Sequence, residues 1–400
     1  YYKGADFPGT PALTRTDANI GFDRDTAPVL PDAGPLSVRW TGSLSVPETG
    51  TYNIGLDGLS SRLWIDGKLV VDSSAPRQRS AKTVDMQFEK GRAYQLKVEQ
   101  APARGPVLKL VWSRVIDHPL DRAVAAAKAA DVVVAVTGIS SALEGEEMNV
   151  NVAGFSGGDR TSLDMPKDEA DLLRAMKASG KKLVVVLMNG SALSVNWAAK
   201  NADAIVDAWY PGEEGGDAIA QTLSGSNNPS GHLPVTFYTG IDQLPPFDSY
   251  DMKGRTYRYF TGKPLYPFGH GLSFTKFAYG ELKLPATVKA GDSLSVDVPV
   301  KNVGKRDGDA VPQAYLSFPH VAGTPIRALR AFTRVHLVPG ESRVVHFDLN
   351  PRDLSSVTEA GDRVVAAGSY QISIGEGQPG TGAPTATGRF AVVGSTSLPE

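Results

Sequence analysis

Three kinds of hydrophobic pattern follow one another along the chain. From Tyr1 to about Val115, apolar and polar residues alternate in short runs: PLSVRWTGSLSV, TYNIGLDG, SRLWIDGKLVVD, TVDMQFEKGRAYQLKVEQ and PVLKLVWSRV. Pro-Glu-Thr-Gly (47–50), Asp66-Gly67 and Lys90-Gly91 punctuate them as turns. A period of two broken in this way predicts an antiparallel β sandwich or barrel over 1–115. From about Asp117 the grammar changes to helix and strand in alternation. DRAVAAAKAADV reads as an Ala-rich helix leading into the strand VVVAV, and PKDEADLLRAMKASGK as a helix that starts at Pro166 and stops near Gly180. The strand LVVVLMNG, a short helix SVNWAAKNA, the strand AIVDAWYPG and a helix from about Gly215 complete the segment. Strands this apolar, separated by helices, predict a mostly parallel α/β sheet over 116–276, covered on both faces. Over 277–400 alternation returns in SLSVDVPVKNVG, AVPQAYLSF, TRVHLVPGESRVVHFDL and GSYQISIGEG, which predicts a second β sandwich of immunoglobulin or fibronectin type. GQPGTGAPTATG (377–388) reads as a mobile hairpin loop.

A chain of 400 residues exceeds one ordinary core, in keeping with these three segments. The net charge of −2 supplies no basic field for nucleic acid or an anionic membrane, so a neutral or weakly charged ligand is expected. With no cysteine, a disulfide framework, a thiolate metal site and a cysteine nucleophile are excluded. The longest apolar runs, such as LVVVLM (183–188), fall far short of the roughly 20 residues of a membrane span. The start at Tyr1, with neither Met nor a signal-like segment, suggests a processed or trimmed product.

Candidate chemistry follows from the sheet. The loops after parallel strands gather at one edge, where open α/β sheets bind ligands. Three such loops differ from ordinary connectors: SSALEGEEMNVNVAGFSGGDR, NGSALS and YPGEEGG. The first crowds Glu144, Glu146 and Glu147 into four positions. Poorly solvated carboxylates that close together cannot all stay charged, and one with a raised pKa is a usable general acid. A solvated acidic loop is the competing reading. Glu213 and Glu214 precede a helix start, where capping explains them. His232, His270, His320 and His336 lack metal-ligand spacing and read as structural. Ser156, Ser191 and Ser194 have no His/Asp arrangement around them, and the glycine-rich runs do not join a strand to a helix as a phosphate cradle requires.

Taken together and in order, LEGEEM, GGDRTSLDMP, LVVVLMNGSALSVNW, AWYPGEEGG, NPSGHLPVTFY, GRTYRYF and PLYPFGHGLSFTKF, over about residues 131–277, closely resemble the C-terminal half of family 3 glycoside hydrolases, the β-glucosidase and β-xylosidase group. VKNVGKRDGDAVPQAYL and RALRAFTRVHLVPGESRVVHFDL resemble that family's fibronectin III-like domain, and SVRWTGSLSVPETGTYNIGLDGLSSRLWIDGKLVVD resembles a PA14 domain. The resemblance implies a retaining, exo-acting mechanism on an oligosaccharide or aryl β-glycoside, with two carboxyl groups about 5–5.5 Å apart and no cofactor or metal. Gly145-Glu146-Glu147 stands where the family carries its acid/base Glu, upstream of Gly158-Asp159-Arg160. This implies Glu146 as acid/base, with Glu144 and then Glu147 as alternatives, and Asp159 with Arg160 as a loop-organising ion pair. The family's nucleophilic Asp and most of its sugar contacts belong to an N-terminal (β/α)8 barrel of about 250 residues. No stretch here resembles it, so the barrel is expected on a separate polypeptide or missing, and the isolated chain is expected to be inactive. The PA14-like module has Leu56-Asp57-Gly58 where calcium-binding relatives carry adjacent Asp residues, which argues against a calcium-dependent lectin site and leaves a role in walling the cleft. Trp40 and Trp64, at alternating strand positions, are expected in the core. A periplasmic or secreted location is what such enzymes imply. The alternative function is a noncatalytic carbohydrate-binding or structural fragment.

Overall fold

A computed structural model describes residues 1–22, 35–73, 81–103, 107–148, 150, 152–319 and 321–399. It divides into two compact units, Tyr1–Asp121 and Arg122–Glu400.

The first unit is built of strands β1 (Tyr2–Lys3), β2 (Gly21–Phe22), β3 (Leu36–Leu44), β4 (Gly50–Gly58), β5 (Ser61–Ile65), β6 (Lys68–Ser73), β7 (Lys82–Phe88), β8 (Tyr94–Ala103) and β9 (Leu108–Arg114). They form two antiparallel sheets, β1-β3-β8-β5-β6 and β2-β9-β4-β7. Alternation decides the faces, since Tyr52, Ile54 and Leu56 of β4 and Leu63 and Ile65 of β5 all point into one core with Phe88, Val98 and Leu108. Asp66 and Gly67 both take positive φ, 50° and 79°, as the two-residue turn between β5 and β6 demands. Both tryptophans have protein partners. Trp40 stacks on Phe22 with centroids 5.8 Å apart and donates Nε1–H to Asp17, and the Lys97 ammonium lies 3.7 Å from the Trp64 ring centroid.

The second unit opens with α1 (Pro119–Ala129), whose first turn spans the division, then β10 (Val132–Gly138), a small hairpin of β11 (Phe155–Ser156) and β12 (Asp159–Arg160), α2 (Lys167–Ala178), β13 (Lys182–Met188), α3 (Asn196–Asn201), β14 (Ala204–Asp207) and α4 (Gly215–Ser224). Strands β10, β13 and β14 pair in parallel in that order, from Val132↔Lys182 through Gly138↔Met188 and from Val184↔Ala204 through Leu187↔Asp207. Leu173 and Met176 of α2 pack on Leu183, Val185 and Leu187. The expected cover on both faces is not complete. Val132, Val134 and Val136 share one face of the edge strand β10 and remain 49, 48 and 58% exposed. An unbroken apolar run reports a strand's affinity for burial, and the helices present cover only the opposite face of this one.

The C-terminal strands form a sandwich. Phe277–Tyr279, Leu294–Asn302 and Ser342–Leu349 make one antiparallel sheet. Thr287–Lys289, Thr385–Val393, Gly368–Gly375, Gln313–Ser317 and Ala328–Phe332 make the other, whose first pair is parallel. Val296, Val298, Val300, Leu316, Ile372 and Ile374 fill the space between them. The glycine-rich stretch is the expected hairpin, with Gly375 paired to Thr385, but its last four residues belong to the strand Thr385–Val393 and Gln378 at its root is buried. This sandwich and the α/β part pack as one unit. Ile326 N–H bonds the Arg258 carbonyl, Gln313 reaches the Gly269 carbonyl, and Tyr257 stacks on Phe268 at 4.1 Å with both rings set edge-on to Tyr315.

Candidate active site

The chain leaves β10 at Gly138 in a conformation only glycine tolerates: φ is 149°, and a Cβ there would lie 1.9 Å from the Met188 carbonyl oxygen. Gly138 N–H donates to the Glu169 carboxylate at 2.6 Å, and burial raises the pKa of that carboxyl. The loop then turns tightly, with the amides of Leu143 and Glu144 both on the Ser140 carbonyl, and Met148 N–H bonds Gly157 O at 2.8 Å. Where the β11–β12 hairpin meets the acidic loop the two backbones cross. Gly158 is buried with φ of 91°, and a Cβ on it would lie 1.5 Å from the Gly145 carbonyl oxygen. This crossing brings Glu144 and Glu146 beside Asp159 and Arg160, on the wall of a cleft of about 610 Å³ that Ser191, Thr236, Tyr238 and Leu244 also line.

Arg160 fastens the wall. Its Nε–H bonds the Ser162 carbonyl at 3.0 Å, and its Nη1 reaches the Ala192 carbonyl at 2.8 Å and Ser191 Oγ at 3.0 Å. The Ser191 hydroxyl in turn donates to Glu144 Oε1. Burial pulls the Arg160 pKa down while Glu144 and Asp164 pull it up. A guanidinium remains charged under such opposing influences.

The three glutamates therefore have three fates. Glu144 is half-buried and held by Ser191. Glu146 lines the cleft, is exposed, and among the described residues makes no hydrogen bond or ion pair. Glu147 takes a φ of 50° and is exposed, outside the cleft lining. Crowding along the chain does not become shared burial, because the turn separates a fastened carboxylate from two solvated ones. The Asp159–Arg160 ion pair is likewise corrected. Both residues line the cleft, but the Arg160 guanidinium is taken up by the Ser162 and Ala192 carbonyls and the Ser191 hydroxyl, and Asp159 makes no ion pair among the described residues.

A further carboxyl group, Asp207, lies at the end of β14, outside the cleft lining. Thr137, Asn189 and Asp207 end or follow β10, β13 and β14, and Thr137 Oγ1, Asn189 Oδ1 and Asp207 Oδ2 are buried without a hydrogen-bond partner among the described residues. Burial pushes the Asp207 pKa up to about 6, against the opposing pull of the Trp209 amide and the Asn189 side chain. Asn189 Nδ2 bonds the Ser191 carbonyl at 2.9 Å. Ser191 did not stand out in the sequence as part of the site; the signal was its place just past a parallel strand, in NGSALS.

Of the other candidates, the described histidines and Ser194 have structural partners, whereas the side-chain capping expected of Glu213 and Glu214 is not made. His232 Nδ1 faces the Ser230 carbonyl at 3.0 Å, His270 stacks on Tyr266, and His336 Nδ1 meets Asp309 at 2.8 Å, while His320 lies outside the described residues. Ser194 donates to the Tyr238 carbonyl, and no histidine lines the cleft. Glu214 precedes α4 as its N-cap residue without a side-chain cap bond, and both Glu213 and Glu214 are exposed.

This geometry occurs in a chain whose residues 29–274 match the glycosyl hydrolase family 3 C-terminal domain, well over half its length. The chain belongs to glycosyl hydrolase family 3. Residues 310–378 match a fibronectin type III-like domain. A xylan 1,4-β-xylosidase of Xylanibacter ruminicola is 36% identical over 353 residues, covering 87% of this chain and 40% of that protein. A periplasmic β-glucosidase of Salmonella typhimurium is 37% identical over 270 residues, covering 64% and 34%. Among solved structures, a β-glucosidase from Kluyveromyces marxianus in complex with glucose superposes with a TM-score of 0.81 at 26% identity, over 99% of this family 3 chain and 49% of its own. The chain thus spans half or less of the length of these relatives.

Proposed function

We propose that this chain is the C-terminal part of a retaining, exo-acting β-glycosidase, a β-glucosidase or β-xylosidase, in which Glu146 is the general acid/base. The observation that carries the reading is the state of Glu146: a carboxyl on the cleft wall, without a hydrogen bond or ion pair among the described residues, on a loop that the Gly145–Gly158 crossing and the Arg160–Ser191–Glu144 chain hold in place. Glu144 is already committed to Ser191, and Glu147 lies outside the lining. In the first half-reaction, the protonated Glu146 gives its proton to the glycosidic oxygen as an aspartate attacks the anomeric carbon from the opposite face. In the second, the Glu146 carboxylate takes a proton from the water that displaces that aspartate. The aspartate is assigned to a (β/α)8 barrel outside these 400 residues, in the same polypeptide or a separate one. Residues 1–115 are read as a PA14-like module, and the enzyme as periplasmic or secreted.

The test uses the protein that carries both this chain and its barrel. Glu146→Ala should slow glycosides with poor leaving groups far more than activated aryl glycosides, and azide should restore turnover of the latter. Equal losses on both substrates would move the role to Glu144. If intact-mass measurement finds a single 42.4 kDa species that cleaves no aryl glycoside, a noncatalytic carbohydrate-binding or structural role takes the place of this reading.

A further inference from the structure

A second cavity, of about 720 Å³, opens in the Arg122–Glu400 unit between the stretch from Tyr257 to His270, the strand entry at Ile326 and Arg327, and the hairpin root at Gln378. Its size is within the roughly 300–1,000 Å³ of small-molecule sites. Its charge is one-sided, because Lys263 and Arg327 line it and no Asp or Glu does. Arg327 is half-buried and, among the described residues, has neither a hydrogen bond nor an ion pair. Arg330, three residues on, shows the ordinary outcome for such a side chain: it bonds the Ser355 carbonyl at 2.7 Å and lies over the Phe318 ring. Burial lowers the Arg327 pKa, as it must for a guanidinium stripped of water without a counter-ion.

The rest of the lining is not that of a bare anion site. Tyr266 and His270, which both line the cavity, stack on each other with centroids 5.3 Å apart and planes 18° from parallel. Gln378 and Thr236, 7% and 8% exposed, border the cavity with Oε1 and Oγ1 unpaired. Both oxygens are shut off from solvent, so a donor that reaches either one after a turn of its side chain completes a bond the protein leaves open. We propose that this cavity binds a uronic acid residue, a pyranose bearing a carboxylate, with Arg327 gripping the carboxylate, the Tyr266–His270 pair facing the ring, and Gln378 and Thr236 taking its hydroxyl protons. A neutral sugar would leave Arg327 unpaired, and a simple anion would leave both oxygens without a donor. The assignment does not rest on the role of Glu146.

Calorimetric titration of the 400-residue chain with methyl β-glucuronide, methyl β-glucoside, acetate and phosphate tests it. The glucuronide should bind at least about tenfold more tightly than each of the other three. Arg327→Met should weaken it by at least about tenfold and Lys263→Ala by about threefold, while Glu146→Gln leaves it unchanged. Lys263 is exposed, so its variant keeps the test open if circular dichroism shows that Arg327→Met has lost its fold. Equal affinity for the glucoside, equal affinity for acetate or phosphate, indifference to both cation variants, or loss of binding with Glu146→Gln each overturns the proposal.

Discussion

Two Glu-rich stretches follow parallel strands in this chain, LEGEEM after β10 and PGEEGG after β14, and they come to different ends. The first is crossed by a second backbone at Gly158, fastened through Ser191 to Arg160, and set on the wall of a cleft. The second runs straight into a helix, with both glutamates in solvent at its positive end. The glutamates are alike. What differs is the scaffold that restricts where their carboxylates can go, so composition marks a place to look and the neighbouring glycine, serine and arginine determine what is there.

The contrast can be broken by substitution. In the enzyme proposed above, Glu146→Ala should lower kcat on a glycoside with a poor leaving group by about 100- to 10,000-fold. Glu213→Ala and Glu214→Ala should stay within about twofold, and a comparable loss from either would erase the distinction between the stretches. Glycines sharpen the same point. Gly158→Ala meets the Gly145 backbone and a positive φ, so denaturant unfolding should show a loss of about 3 kcal/mol or more, whereas Gly212→Ala, with nothing within 4 Å, should stay within about 0.5 kcal/mol.

The second stretch has its own buried acid just upstream, Asp207. Its folded pKa of about 6 lies above the ordinary 3.8, so the native state binds the proton more tightly than the unfolded chain. Stability is therefore lost as pH rises from near 4 through 6. The advantage of Asp207→Asn over the parent should grow by about 2 kcal/mol between pH 4 and pH 7.5, and an advantage that does not change with pH would remove the buried acid from the account. The smallest effect is expected from Ser191→Ala, about 1 kcal/mol by thermal or chemical unfolding, against a negligible change for the exposed Ser224→Ala.

Local pattern made much of the fold readable. Alternation placed Tyr52, Ile54 and Leu56 on one face of β4, and the valine runs announced parallel strands because side chains buried between helices need not alternate. Pattern could not show that Val132, Val134 and Val136 would stay about half exposed, since cover depends on what else packs there. Within the site, the run of carboxylates was conspicuous. The sorting of Glu144, Glu146 and Glu147 depends on a hydroxyl 47 positions downstream of Glu144 and on a glycine contact across the hairpin, both set by tertiary packing. Asp207 was hidden for the opposite reason: one acidic residue at the end of an apolar strand has no local sign of how deeply it will sit.

Thr236 borders both the Glu146 cleft and the Arg327 cavity, and its neighbour Phe237 is tied by backbone bonds to Leu265 and Tyr266. The two chambers therefore have Thr236 as a common wall residue. Enlarging that threonine to a leucine or tryptophan would crowd both at once, so an engineer could not retune one ligand preference there without disturbing the other.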